Sequence, residues 1–203
     1  MNNIKAIGFD WGGVIVDFPA GTISMNRSVG QITGVDHDKL QTEYLKRNTE
    51  ANVAGADYAD VWIEIAHLFG VADKDDQIRQ VIKQRFESTL NTQMVDLIKA
   101  LKTNYKVGLL SNNNHTGAKI IKQQGLNEIF DVSLISAEIG FQKPSPEAFD
   151  ILFQRLEVKP EETIFIDDST SSLLLADQIG YIPILYKNLE QLTQELTNLN
   201  IKY

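Results

Sequence analysis

The amino-acid sequence predicts an α/β fold, in which a doubly wound parallel β-sheet carries a small inserted α-helical domain. Short, wholly apolar runs alternate with helical patterns in the second half of the chain, which is typical of parallel strands covered by helices on both faces. Almost a hundred residues separate the first apolar run from the second, and their apolar residues recur with helical spacing. This long interval indicates an insertion after the first strand.

Five apolar runs of four to six residues are predicted to be buried strands. They are residues 4–9, 107–110, 132–135, 163–166 and 182–185. Helical patterns lie between the later runs, at residues 117–124, 146–156 and 171–179. Ser145 is placed to cap the second of these helices, Pro146 occupies its first position, and Gly180 ends the third. This alternation of strand and helix predicts a parallel sheet.

The inserted segment is predicted to be helical and to form its own small domain. Two stretches carry apolar residues at i, i+3 and i+4. They are Tyr58, Val61, Trp62, Ile65 and Phe69, then Ile78, Val81, Ile82 and Phe86. We expect these stripes to pack on each other in a helical domain over residues 18–89. Residues 1–17 and 90–203 would form the core domain, which the chain re-enters through a helix at 92–101, and no strand is expected within the insertion.

Composition excludes several classes of function. Hydrophobic residues make up 43% and charged residues 23% of the 203 positions, as in ordinary globular proteins. There is no cysteine, which excludes disulfides, thiolate metal sites and a cysteine nucleophile. A net charge of −8 would repel a phosphate backbone, so nucleic acid is not an expected partner. No signal-peptide layout and no apolar run of about 20 residues is present, so we expect a cytoplasmic protein that does not enter membranes.

Polar residues follow three of the predicted strands. In an open parallel sheet, ligands bind just beyond the carboxyl ends of the strands. Asp10, Trp11, Gly12 and Gly13 follow the first strand, Ser111 and Asn112 the second, and Asp167 and Asp168 the fourth. Lys143, in a Lys-Pro-Ser-Pro turn, precedes the helix that leads to the fourth strand. These groups are expected to converge on one crevice.

The chemistry of this set suits a hard divalent cation and a phosphoryl group. Mg²⁺ prefers carboxylate, carbonyl, water and phosphate oxygens. Asp167 and Asp168 are adjacent and would repel each other without a nearby cation. Each residue alone also has a common structural explanation, as a turn former, a helix cap or a surface charge. Their combination at three strand ends of one sheet favours a site.

On these residues the chain resembles the haloacid dehalogenase superfamily of aspartyl-nucleophile hydrolases, in particular members with a helical cap inserted after the first strand. Asp10 matches the nucleophile of the first motif of that family. Ser111 with Asn112 matches the second motif, Lys143 the third, and Asp167 with Asp168 the acidic pair of the fourth, in the family's order. The resemblance covers essentially the whole chain and implies a Rossmann-like core.

The resemblance also implies a mechanism and a division of roles. It implies a phosphatase that forms a covalent aspartyl-phosphate on Asp10 and acts on a small phosphorylated metabolite. Mg²⁺ would be held by Asp10, the main-chain carbonyl of Gly12 and Asp168, with Asp167 in or just outside the coordination shell. Lys143 and Ser111 would join Asp10 in catalysis. Phosphate would be bound by Ser111, Asn112, Gly13 and Lys143.

One position departs from the pattern of the family's phosphatases. They usually carry an Asp two residues after the nucleophile, which acts as general acid and then as base, and here that position is Gly12. General acid–base help of roughly 10²- to 10⁴-fold is therefore expected to be missing. The departure favours substrates whose leaving group needs little protonation, such as sugar 1-phosphates. Asp17 and His115 are weaker candidates for a substitute, and Asp17 is better interpreted as a hinge residue.

Three other interpretations are open. A 2-haloacid dehalogenase also lacks the second Asp, but it needs no metal, and the acidic pair argues against it. A phosphoryl-receiver domain shares the sheet and the acceptor Asp, yet its acidic pair would follow the first strand. A non-catalytic binding or regulatory protein on the same scaffold is the third, motivated by Gly12. If the protein is an enzyme, Trp11, Tyr44, Arg47 and Trp62 are candidates for lining its substrate pocket.

Overall fold

The computed structural model describes residues 3–17, 25–52, 56–86 and 89–203. Its main sheet has five strands in the order β5-β4-β1-β6-β7, and all neighbours in it run parallel. β2 and β3 form a separate antiparallel ribbon. The strands are β1 (Ala6–Phe9), β2 (Val16–Asp17), β3 (Thr89–Leu90), β4 (Lys106–Ser111), β5 (Val132–Ile135), β6 (Thr163–Asp167) and β7 (Ile182–Leu185). The predicted parallel sheet is confirmed.

Helices form the layers around the sheet and make up most of the described part of the insertion. The insertion contains α1 (Met25–Thr33), α2 (His37–Asn52), α3 (Tyr58–Leu68) and α4 (Asp75–Phe86). The remaining helices are α5 (Thr92–Leu101), α6 (His115–Gln123), α7 (Leu126–Ile129), α8 (Ser136–Ile139), α9 (Pro146–Leu156), α10 (Ala176–Ile179) and α11 (Leu189–Asn198). The bounds of α5 and α9 match the predicted ones, and the Ser145 hydroxyl caps α9 by accepting from the Ala148 N–H at 3.4 Å.

The sheet is buried on both faces, as its apolar strands require. Alternate residues of a strand point to opposite faces. Ile7, Phe9 and Leu109 belong to one buried cluster with α5, α6 and α11, whereas Ala6 and Leu110 belong to a second cluster with α9. Helices therefore cover both faces, which is the doubly wound arrangement. The carboxyl ends of the strands are left to form a site.

The two strands that flank β1 are longer than their predicted apolar runs. β4 reaches Ser111 and β6 reaches Asp167, because parallel pairing continues to Ile135 and Leu185 of the neighbouring strands. Two candidate site residues thus belong to the rigid sheet and not to the loops that follow it.

The prediction of a helix at 171–179 is wrong for the first half of that segment. Only Ala176–Ile179 is helical, and residues 171–175 form turns. The Ser172 N–H donates to the Ser169 carbonyl and the Ala176 N–H to the Leu173 carbonyl, which are the i to i+3 bonds of tight turns. The hydroxyls of Ser169 and Ser171 bond to each other at 2.8 Å. Serine competes with helical hydrogen bonding in this way.

The insertion has a hydrophobic cluster of its own. Trp62, Ile65, Ile78 and Ile82 are buried together in it with residues of α1 and α2, so the two predicted stripes do pack on each other. Phe69 follows α3 and is 37% exposed, outside this cluster. The side chain of Phe86 lies outside the described residues.

The ends of the insertion differ from the prediction that it contains no strand. Val16 pairs with Leu90 and Asp17 with Thr89, which makes a short ribbon where the chain leaves and re-enters the core. Two-residue strands are too short to show an alternating pattern, so the sequence gives no sign of them. Within the described ranges, no helix is long and apolar enough to cross a membrane.

Candidate active site

The site lies at the carboxyl end of the central strand. Asp10 directly follows β1, and its main-chain N–H donates to the Ile166 carbonyl of β6 at 2.9 Å, which fixes it beside that strand. β4, on the other side, brings Ser111 to the same edge. The sheet order thus places the polar residues that follow β4 and β6 on either side of Asp10. The predicted convergence of these groups is observed.

Three carboxylates form a cluster at this edge. Asp10, Asp167 and Asp168 each offer an oxygen, and these atoms lie within 4.8 Å of one another. Asp167 is fully buried, Asp10 retains 14% of its side-chain exposure, and Asp168 faces solvent. Both oxygens of Asp167 accept hydrogen bonds, from the Ser169 N–H and from Lys143. The cluster could hold a metal ion.

Lys143 joins two of these carboxylates. Its Nζ lies 2.7 Å from Asp10 Oδ1 and 2.5 Å from Asp167 Oδ2, and its side chain is 1% exposed. The ammonium also lies 5.2 Å from the centre of the Phe165 ring, within cation–π range. Lys143 thus offsets part of the negative charge of the three carboxylates. The cluster consists of hard oxygen donors, which suit a divalent cation.

The protonation states follow from burial and from neighbouring charges. Burial raises the pKa of Asp10 to about 6; Lys143 opposes this rise, and the negative charge of Asp167 adds to it. Burial alone would lower the pKa of Lys143, but Asp10 and Asp167 outweigh it and hold that pKa above its usual value. Lys143 therefore stays charged. A cation placed at the cluster would favour the ionised form of Asp10.

Asn112 and Ser111 have different surroundings. The Asn112 side chain pairs with the main chain of Lys143: its Nδ2 donates to the Lys143 carbonyl at 2.8 Å, and its Oδ1 accepts from the Lys143 N–H at 2.7 Å. This engagement leaves the amide less available to phosphate than the sequence suggests. Ser111, the last residue of β4, is 2% exposed.

The two glycines after Trp11 form a tight turn beneath the cluster. Gly13 has a φ of +73°, and its N–H donates to the Val16 carbonyl at 3.2 Å. A Cβ at Gly13 would lie 2.2 Å from Asp168 Oδ2, so any other residue at this position would force that carboxylate to shift. Gly13 thus lies against Asp168. The expected contact of Gly13 with phosphate stays a prediction.

The weaker candidates lie outside the carboxylate cluster. Asp17 is in the ribbon, where Asn91 Nδ2 is 3.4 Å from its Oδ1, and His115 is exposed at the start of α6. Trp11 is 3% exposed and donates from Nε1 to Gln124 at 3.0 Å. Trp62 stacks on Tyr44 with ring centres 4.7 Å apart and is 1% exposed. The two tryptophans are thus core residues in this structure.

Comparison with known proteins decides the family. The model of the haloacid dehalogenase-like hydrolases matches residues 4–180. The chain belongs to this family. Among curated haloacid dehalogenase-like hydrolases, the chain is 27% identical to a D-ribitol-5-phosphate phosphatase from Bacteroides thetaiotaomicron, over 96% of this chain and 97% of that protein. It is 23% identical to (S)-2-haloacid dehalogenase 1 from a Pseudomonas species, over 89% of this chain and 83% of that protein.

Solved structures of haloacid dehalogenase-like hydrolases share the fold. A family enzyme from Bacteroides thetaiotaomicron, solved with magnesium and inorganic phosphate, superposes with a TM-score of 0.69 at 23% identity. The match covers 93% of this chain and 98% of that one. L-2-haloacid dehalogenase from Xanthobacter autotrophicus gives a TM-score of 0.61 at 19% identity, over 96% of this chain and 83% of that one. At these identities the likeness establishes the fold.

Proposed function

We propose that this hydrolase is a Mg²⁺-dependent phosphatase that acts on a small phosphorylated metabolite through an aspartyl-phosphate on Asp10. The observation that carries the proposal is the cluster of Asp10, Asp167 and Asp168 with a single buried lysine. The similarity to a D-ribitol-5-phosphate phosphatase over nearly the whole chain supports the reaction class. The neighbour solved with magnesium and phosphate supports the cofactor.

The donor set of the site fits Mg²⁺. Asp10, Asp168 and the Gly12 carbonyl would hold the ion, and Asp167 would lie beside it because its oxygens already accept from Lys143 and Ser169. All of these donors are oxygens, which Mg²⁺ prefers. When bound, Mg²⁺ would neutralise charge on the phosphoryl oxygens and on the carboxylates.

Each residue of the site has its own role in the proposed reaction. A carboxylate oxygen of Asp10 attacks phosphorus, the bond from phosphorus to the leaving oxygen breaks, and the leaving alcohol takes a proton from solvent. Water next attacks phosphorus, the bond to Asp10 breaks, and inorganic phosphate and the free carboxylate result. Lys143, fixed against Asp10, offsets negative charge as it develops. Ser111 and the main chain around Asn112 would orient the phosphoryl group.

Gly12 shapes the range of substrates in this proposal. Gly12 supplies no side-chain acid to protonate the leaving group. The rate at which the leaving group departs therefore depends on its own stability as an anion. Anomeric, acyl and aryl phosphates therefore suit this site best, with a sugar 1-phosphate as one example. A primary alkyl phosphate, as in the name of the Bacteroides thetaiotaomicron relative, is expected to react more slowly here.

A metal-free 2-haloacid dehalogenase is the second candidate function. The similarity to haloacid dehalogenases and the missing acid at Gly12 favour it. The acidic cluster opposes it, because three carboxylates with oxygens within 4.8 Å of one another repel each other, and a bound cation would offset that repulsion. The two reactions release different products and differ in their need for metal.

The domain division forms part of the proposal. Residues 18–89 would act as a cap on a core of residues 1–17 and 90–203, and the ribbon of β2 and β3 would be the joint. Support comes from the separate hydrophobic cluster of the insertion and from the position of the ribbon at both of its ends. A cap of this kind closes over a site and selects the leaving group.

A substrate screen tests the function. Phosphate release is measured from a panel of sugar, acyl, aryl and alkyl phosphates, with Mg²⁺ and with a chelator, and halide release is measured from 2-chloropropionate. We expect Mg²⁺-dependent phosphate release that Asp10→Asn abolishes. Metal-independent halide release without phosphatase activity would establish the dehalogenase instead.

A further inference from the structure

The amide of Asn112 and the main chain of Lys143 form a reciprocal pair of hydrogen bonds. Asn112 Nδ2 donates to the Lys143 carbonyl at 2.8 Å, and the Lys143 N–H donates to Asn112 Oδ1 at 2.7 Å. Both distances lie within the usual range for such bonds. The two residues are 31 positions apart, one after the end of β4 and the other in the loop before α9. A single side chain therefore joins this loop to the sheet edge.

This pair fixes the base of the Lys143 side chain. A lysine side chain is long and has several rotatable bonds, so its ammonium is placed well only if its main chain is held. Here the ammonium must meet Asp10 at 2.7 Å and Asp167 at the same time. The two carboxylates hold the tip, and Asn112 holds the base. An error of about 1 Å in such a group can lower a rate about 10²-fold.

We propose that Asn112 is a positioning residue, whose side chain acts on the reaction by holding Lys143 against Asp10 and Asp167. The inference rests on the proposed function, because it assigns Lys143 a part in charge stabilisation. Asparagine suits this role since one planar group both donates and accepts. The main chain of Lys143 requires both an acceptor for its N–H and a donor for its carbonyl, and the Asn112 amide supplies the two together.

The alternative is that the Asn112 side chain binds substrate directly. In that case its loss would weaken substrate binding and would matter equally whether or not Lys143 is present. A positioning residue behaves differently. Its loss lowers kcat with little change in KM, and it has little further effect once Lys143 is gone.

Kinetic measurements separate these two roles. Asn112→Ala removes both hydrogen bonds, and Asn112→Gln keeps both groups but displaces them by one methylene. Asn113→Ala is the matched control, because within the described part of the chain the Asn113 side chain accepts from the neighbouring Asn114 N–H, at 3.0 Å, and not from Lys143. With an aryl phosphate and saturating Mg²⁺, we expect kcat to fall about 10- to 100-fold in Asn112→Ala and less in Asn112→Gln. KM should change less than about twofold, and the control should match wild type.

A double-mutant cycle supplies the decisive comparison. Asn112→Ala, Lys143→Ala and the double variant are measured with the same substrate. We expect the double variant to lie within about threefold of Lys143→Ala, because the two residues act as one unit. Additive losses, or a loss expressed mainly in KM, would overturn the proposal.

A spectroscopic measurement keeps the inference separate from the proposed function. Ammonium groups shielded from water give lysine side-chain signals in proton–nitrogen NMR spectra, and Lys143 is 1% exposed and bonded to two carboxylates. Lys143→Arg would assign its signal in metal-free protein. We expect faster proton exchange at Lys143 Nζ in Asn112→Ala but not in Asn113→Ala. An unchanged signal in a folded Asn112→Ala protein would refute the positioning role, even if no phosphate ester proves to be a substrate.

Discussion

Gly13→Ala should weaken Mg²⁺ binding, because the added methyl group would collide with the carboxylate of Asp168. Gly13 has a φ of +73°, and a Cβ built there lies 2.2 Å from Asp168 Oδ2. Ordinary contact begins at 3.4 Å, so the carboxylate has to retreat by about 1 Å. Metal–ligand distances in well-formed sites lie within about 0.2 Å of their usual values. Asp168 would therefore be lost as a ligand or held in a poor position.

Gly13→Ala has two expected effects, a loss of stability and a loss of Mg²⁺ affinity, and a control variant can separate them. A left-handed conformation costs a non-glycine residue about 1–2 kcal/mol, which lowers the free energy of unfolding but not the metal affinity. Displacement of a ligand should weaken Mg²⁺ binding about 10- to 100-fold, the range known for disturbed metal shells. Gly125 also has a φ of +73°, with nothing within 4 Å of its Cβ position. Gly125→Ala thus carries the backbone strain without the contact.

Calorimetric titration with Mg²⁺ and thermal melting measure the two effects. Both variants should lose stability in metal-free protein, and Gly13→Ala should lose at least as much as Gly125→Ala because it also carries the contact with Asp168. Only Gly13→Ala should bind Mg²⁺ more weakly, and so show a smaller rise in Tm when Mg²⁺ is added. Equal Mg²⁺ affinity in wild type, Gly13→Ala and Gly125→Ala would refute the placement of Asp168 at the metal.

Three further outcomes are expected from the same site. Lys143→Ala should lose at least about 2.7 kcal/mol of transition-state stabilisation, and a loss below about tenfold in kcat/KM would show that its charge is not used. Asp168→Asn should remove most of the Mg²⁺-induced rise in Tm, and an undiminished rise would place the ion elsewhere. Wild-type rates should depend steeply on leaving-group pKa, and Gly12→Asp should flatten that dependence by supplying an acid. Gly12 is not among the described glycines with positive φ, so Gly12→Asp does not meet the backbone strain of a left-handed conformation. A flat wild-type series would mean that another group donates the proton.

Local signals explain which parts of the fold the sequence predicts. The helix over 146–156 is bounded correctly because its capping serine and first-position proline are adjacent to it in sequence. The five strands of the main sheet are found because each contains a short apolar run, whereas the two-residue strands β2 and β3 are too short to show a pattern. Residues 171–175 escape the same reasoning, since hydrogen bonds typical of turns compete there with a helical pattern.

The candidate site also has a part that the sequence predicts and a part that it does not. Asp10, Ser111 and Asp167 are predictable because strand ends are visible in the sequence and parallel strands end at one edge. The contact of Asn112 with Lys143 and the closeness of Gly13 to Asp168 join distant parts of the chain. Such contacts depend on how loops pack, and no periodicity or capping signal records them.

Trapping the covalent intermediate tests the central claim most directly. The protein would be mixed with Mg²⁺ and the best phosphate ester from the screen, quenched rapidly in acid, digested and examined by peptide mass spectrometry. We predict a phosphoryl group on Asp10 that is absent when Mg²⁺ is chelated. Turnover of the ester with Asp10 unmodified at every quench time, and retained in Asp10→Asn, would contradict the account.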